Sequence, residues 1–95
     1  MIRNIALIKL KAGSDEGHIK ALIDAVSKLR TPGMQSQSVQ RDAGLREGNA
    51  DLAVIGDFDD ESAYQVYDAD PEHNRIRREL MAPLAERAER CQIRS

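Results

Sequence analysis

The chain predicts an α+β sandwich, a four-stranded sheet with helices packed on one face, and three observations lead to it. Residues 2–11 (IRNIALIKLK) and 51–58 (DLAVIGDF) are short runs with apolar residues on both alternating sides, the pattern of strands covered on two faces. Residues 15–30 carry Ile19, Leu22, Ile23, Val26 and Leu29 at helical spacing. The chain then orders itself as strand, helix, strand, strand, broken helix, strand. Its 95 residues make one domain, over 1–95, and leave no room for a second core.

Each element has its own local reason. In the first strand Ala6, Ile8 and Leu10 point one way and Ile5 and Leu7 the other. Ala12-Gly13 turns the chain, Ser14 is placed to cap a helix, and Asp15 and Glu16 suit its first turn. Thr31-Pro32-Gly33 ends that helix. Residues 34–42 (MQSQSVQRD) are polar without a helical stripe and predict an exposed or edge strand. After the glycine-punctuated loop AGLREGN comes the strand over 51–58, with Leu52, Val54 and Phe58 on one side and Ala53 and Ile55 on the other. Asp59 or Asp60 caps a short helix over 60–69, and Asp70-Pro71 restarts it, with aspartate as N-cap and proline at the first helical position. Ile76, Leu80 and Leu84 continue one face until Pro83 ends the segment, and the closing ERCQIRS predicts a short last strand.

That order is the split βαβ arrangement of a ferredoxin-like protomer. Two helices cover one face of its sheet, yet two strands carry apolar residues on the other. A few hundred Å² of apolar surface left wet forgoes several kcal/mol at ~25 cal/mol per Å², against a total stability of ~5–15 kcal/mol. A second copy of the chain covers that face most simply, so a homodimer closing an α+β barrel is expected.

Composition excludes several functions. The net charge is −2 with both signs mixed, although arginines concentrate in the last third, so no nucleic-acid footprint appears. One phenylalanine, two tyrosines and no tryptophan supply no stacking platform for single strands. The lone Cys91 permits no internal disulfide and no cysteine-based zinc site, and it fits a reducing compartment. MIRNIALIKLK lacks the length of a membrane span and the cleavage site of a signal peptide, so a cytoplasmic protein without a membrane partner is expected. There is no phosphate loop, no dinucleotide fingerprint and no nucleophile elbow, and the two histidines have no recognised metal-ligand spacing. Neither cofactor nor metal is expected.

MIRNIALIKLK, the block GLREGNADLAVIGDF, the acid-capped short helix and YDADPEHNRIRREL, in that order over nearly the whole chain, resemble the stress-responsive dimeric α+β barrel family. The resemblance implies a ferredoxin-like protomer paired sheet to sheet. A plant polyketide cyclase of that family uses a tyrosine near the end of the short helix and a histidine six residues later, which correspond to Tyr67 and His73. Where the family commonly shows His-Pro-x-His, this chain reads Asp70-Pro71-Glu72-His73. The cyclase has further histidines near the start of the first strand and in the third, where this chain carries Asn4 and, approximately, Leu52. Ile8, Ile23 and Val26 are pocket-wall residues by their position in the resemblance.

The chemistry open to YDADPEHNR follows. A neutral His73 imidazole in an apolar cavity can take an acidic proton alpha to a carbonyl. Tyr67 can donate a hydrogen bond to the developing enolate oxygen. Asp70 reads first as an N-cap and second as a carboxylate orienting the imidazole. The helix dipole and the nearby carboxylates of Asp70 and Glu72 pull the His73 equilibrium in opposite directions. His18, off the stripe of its helix, reads as solvated, and Arg75, Arg77 and Arg78 as a solvated helix face pairing with Glu79 and nearby acids. Three functions stand in order: a dimeric barrel that binds a small apolar, carbonyl-containing ligand without turnover; a cofactor-independent cyclase or isomerase with His73 as base and Tyr67 as donor; and a structural subunit of a larger assembly.

Overall fold

The computed structural model describes residues 1–95. The elements run β1 (Ile2–Leu10), α1 (Glu16–Lys28), β2 (Met34–Arg41), β3 (Leu52–Phe58), α2 (Glu61–Ala69), α3 (Pro71–Ile76), a π-helical turn (Arg77–Met81) and β4 (Ala85–Arg94). The strands form one antiparallel sheet in the order β2-β3-β1-β4. This is the ferredoxin-like α+β arrangement that the pattern of the chain predicts.

Register puts the two strongly apolar strands side by side. Ile8 lies opposite Leu52, Ala6 opposite Val54 and Ile2 opposite Phe58, all facing the helices. The alternate residues, Ile5 opposite Ile55 and Leu7 opposite Ala53, face away. On that outer side Leu7 is 45% exposed and Ile93 48%, so the protomer leaves an apolar strip open. Arg3 clamps Asp57 beside the strip with two bonds of 2.8 and 3.0 Å.

Three boundaries depart from the sequence expectation. Asp15 rather than Ser14 caps α1: its carboxylate accepts from the His18 backbone N–H at 3.1 Å, while the Ser14 hydroxyl turns back to the Lys11 carbonyl. Aspartate and serine are comparable caps, and the chain settles on the residue whose backbone is already extended one step later. The last strand is ten residues long and starts at Ala85, well before residue 89, because Pro83 sends the chain straight back along β1, from Leu10 opposite Ala85 to Ile2 opposite Arg94. Its many charges hide a pattern that only the neighbouring strand reveals. The helix after Asp70 stays α-helical only to Ile76 and widens into the π turn, where the Ala82 N–H reaches the Arg77 carbonyl at 2.9 Å.

Packing centres on Phe58, fully buried, with Ile8 and Leu22 nearly so. Tyr64 meets the Phe58 ring edge-on at 5.7 Å and Tyr67 tilts against it at 5.0 Å, which ties α2 to the end of β3. Gly33 lets this corner close: it sits at φ +82°, and a Cβ there would stand 2.5 Å from the Ala63 Cβ. We expect Phe58→Ala to cost about 3–5 kcal/mol in urea unfolding. A loss under about 1 kcal/mol, the scale of a surface substitution, would show that the aromatic cluster does not anchor the helices.

Candidate functional site

Between the inner face of the sheet and the helices lies a cavity of about 50 Å³. Its depth is aliphatic, with Ile8, Leu22, Val26, Leu52, Val54 and Ile76 among the walls. Its polar lining is Asn4, Tyr67 and His73, and Tyr64, Asp68, Arg77 and Arg90 bring further polar and charged groups to it. Tyr67 and His73, six residues apart, are brought together because α2 ends at Ala69 and α3 begins at Pro71 with Asp70 shared between them. The two rings stack, 4.0 Å between centroids and 26° between planes.

The Tyr67 hydroxyl is held from the other side. Gln37, on the inner face of edge strand β2, donates its Nε2 to the Tyr67 oxygen at 3.3 Å. Gln37 pairs with Gly56 across the strands, and a Cβ on Gly56 would stand 2.5 Å from the Gln37 Oε1. The glycine inside an otherwise apolar strand therefore leaves the space through which the amide reaches the tyrosine. Burial raises the Tyr67 pKa above its ordinary value, and the Gln37 bond only partly offsets this, so the hydroxyl stays protonated near neutrality.

His73 is 8% exposed, and its Nδ1 is buried without a hydrogen-bond partner. Burial lowers its pKa, and the Arg77 guanidinium lowers it further. The Tyr67 and Asp68 carbonyls oppose the shift, though neither meets hydrogen-bond geometry with Nδ1. The imidazole is thus neutral at pH 7. Asp70 is a cap: its carboxylate accepts from the His73 backbone N–H at 3.0 Å, not from the ring.

Of the expected wall residues, Ile8 and Val26 line the cavity and Ile23 does not. Leu22, one step earlier on α1 and 1% exposed, takes the inward position, and Ile23 is half-buried against the core. Arg77 is not the solvated residue the sequence suggests. It turns to the cavity and bonds Asp68 and Asn74, whereas Arg75 and Arg78 pair with Glu72 and Glu79 on the surface. His18 is solvated as expected. Gln37, Leu22 and Arg90 escape a reading of the sequence; the one available signal for Gln37 was the glycine in β3. No group of three or more His, Cys, Asp and Glu side chains is arranged to hold a metal ion. No helix is long and apolar enough to cross a membrane.

A four-stranded ferredoxin-like protomer, with a buried tyrosine–histidine pair in a cavity under its helices, belongs to the small α+β barrel proteins. More particularly, the chain belongs to the stress responsive A/B barrel domain family, whose model matches residues 2–91. A dimeric ferredoxin-like protein of unknown function from Thermobifida fusca YX is similar at 29% identity and TM-score 0.90, over 99% of this chain and 90% of that one. A Dabb family protein from Mesorhizobium loti matches at 20% identity and TM-score 0.82, over 99% and 95%. A hydroxynitrile lyase from Passiflora edulis matches at 17% and 0.84, over 97% and 90%. Comparison with curated proteins gives no match.

The His73 shift carries a sign. Its folded pKa lies below the ordinary 6.5, so between the two values the unfolded chain binds more protons than the folded one. The stabilisation is complete above pH 6.5 and is lost as pH falls through the folded value. We expect an NMR titration to place the His73 midpoint below 6.5, and His73→Phe to flatten the loss of urea stability under that pH. A midpoint at or above 6.5 contradicts the burial of the ring.

Proposed function

We propose that the protein is a homodimer that holds a small, mostly apolar carbonyl compound in this cavity, with Tyr67 as the hydrogen-bond donor. One observation carries the binding reading. The Tyr67 oxygen accepts from Gln37, so its own hydrogen is left for another acceptor, in a cavity with almost no other polar group at depth. A buried donor without a partner costs about 1–3 kcal/mol, and a ligand carbonyl removes that cost. At about 30 Å³ per water, a volume of about 50 Å³ holds one or two waters, so a five-carbon ketone enters by displacing them and moving side chains at the charged rim. Dimerisation is supported by the open strip around Ile5, Leu7 and Ile93 and by the dimeric state of the similar protein from Thermobifida fusca YX.

A second reading is favoured by the neutral, unpartnered imidazole. An imidazole nitrogen takes a proton from the carbon alpha to the carbonyl, and the C–H electron pair moves into the new C=C bond. The carbonyl π pair moves onto oxygen, where Tyr67 donates to the enolate. Returning the proton to the same or another carbon restores the imidazole and completes an exchange or an isomerisation. The likeness to a hydroxynitrile lyase, at 17% identity, is one of fold, and this chemistry rests on His73 and Tyr67 alone.

Binding and turnover separate in one experiment with 2-pentanone in deuterated water. We expect cavity amide and methyl signals to shift with a dissociation constant on the order of millimolar, and Tyr67→Phe to weaken binding about tenfold. Exchange of the alpha protons that disappears in His73→Ala supports catalysis; binding without exchange leaves a carrier, and no binding removes both readings. For the assembly, we expect light scattering to show a dimer for the wild type and a monomer for Leu7→Lys. A wild-type monomer at micromolar concentration would defeat it.

A further inference from the structure

We propose that the molecule held in the cavity carries a carboxylate, and that Arg90 grips it where the lining turns charged. This rests on the binding reading above and narrows its ligand to small apolar acids. The cavity lining contains two guanidinium groups and one carboxylate, from Arg77, Arg90 and Asp68. Arg77 is already engaged: it reaches the Asp68 carboxylate at 3.5 Å, the Asp68 carbonyl at 3.3 Å and the Asn74 side-chain oxygen. Asp68 and Arg77 thus cancel, and Arg90 remains as one unit of positive charge.

Arg90 stands apart from the other arginines of β4. Arg87 pairs with Glu86 and Glu89, and Arg94 with Glu61, whereas the Arg90 side chain makes no ion pair and no hydrogen bond within the chain. It is also the one of the three that lines the cavity. Its register partner is Ala6, and the inward residue before it on β4 is Ala88, so small side chains leave free space beside the guanidinium on the inner face. Tyr64, another lining residue, has its pKa raised by burial and then by the Asp68 carboxylate, with Arg90 and Arg77 opposing, which places the Arg90 charge within reach of its hydroxyl. A guanidinium presents parallel N–H groups that match the two oxygens of a carboxylate. A single surplus charge suits a monoanion better than a phosphate dianion, and the aliphatic depth takes the hydrocarbon part.

The test compares pentanoate with pentanamide, equal in size and differing in charge, on the full chain by NMR titration at low salt. We expect pentanoate to bind about tenfold more tightly, a margin that shrinks at 0.5 M salt. Arg90→Gln should bring the acid to within about twofold of the amide without changing the amide's affinity, and Arg90→Lys should keep part of the preference. Arg90 is exposed, so these variants fold, and an unchanged amide spectrum checks it. Equal affinities for acid and amide in the wild type, with 2-pentanone still binding, overturn the carboxylate assignment and spare the cavity. A preference that survives Arg90→Gln overturns the role of Arg90. If neither compound nor 2-pentanone binds, the cavity reading fails and this one with it.

Discussion

The position of Tyr67 between two flat neighbours is what the rest of the molecule depends on. Phe58 meets it from the sheet at 5.0 Å and His73 from the next helix at 4.0 Å. Because the phenylalanine is fully buried, it cannot shift without opening a void, and so the end of α2 is fixed relative to β3. That fixes Asp70, whose capping bond sets where α3 starts, and thereby which side of α3 carries His73. The same contacts that stabilise the fold therefore define the site. Hydrophobic packing supplies the rigidity, and the polar atoms on its edge inherit their geometry.

The sheet divides its labour by residue parity. Even-numbered residues of β1 build the core and cavity, from Ile2 and Asn4 to Ile8, while Ile5 and Leu7 on the odd positions face outward. A single strand thus lines the cavity on one side and carries the open apolar strip on the other. A one-residue slip in register would exchange the two roles, and the exposed Arg3–Asp57 clamp, formed between register partners, works against such a slip.

Periodicity and punctuation made the fold legible. Alternation in 2–11 and 51–58, the stripe from Ile19 to Leu29, and Asp70-Pro71 each rest on local rules that the tertiary structure did not override. The last strand was only half visible because Arg87, Glu89 and Arg90 carry no apolar alternation; its pairing with β1 comes from the partner, not from its own sequence. In the site, the Tyr67–His73 pair was legible through the helix junction and through the family resemblance. Gln37 was not, because a glutamine in a polar edge strand gives no hint of facing inward. The bulge between Met34 and Ser36 decides that orientation, and bulges leave little trace in composition. Ile23 was placed on the wall by its position in the family resemblance; one residue along a helix is a turn of about 100°, and it is Leu22 that meets the cavity.

Asn4 and Leu52 limit what the cavity can do. Both line it, and neither titrates, so His73 is its only imidazole. Tyr67 cannot serve as a second base, since burial holds its proton in place well above neutral pH. Asp68 is engaged by Arg77, and Asp70 by the backbone of α3. A reaction needing separate acid and base partners on opposite sides of a substrate has no pair of groups to use. What fits is a single imidazole that removes a proton and gives it back, beside a hydroxyl that stabilises charge on oxygen without ever parting with its hydrogen. The burial that the apolar depth imposes also favours the neutral imidazole, the form that can accept a proton.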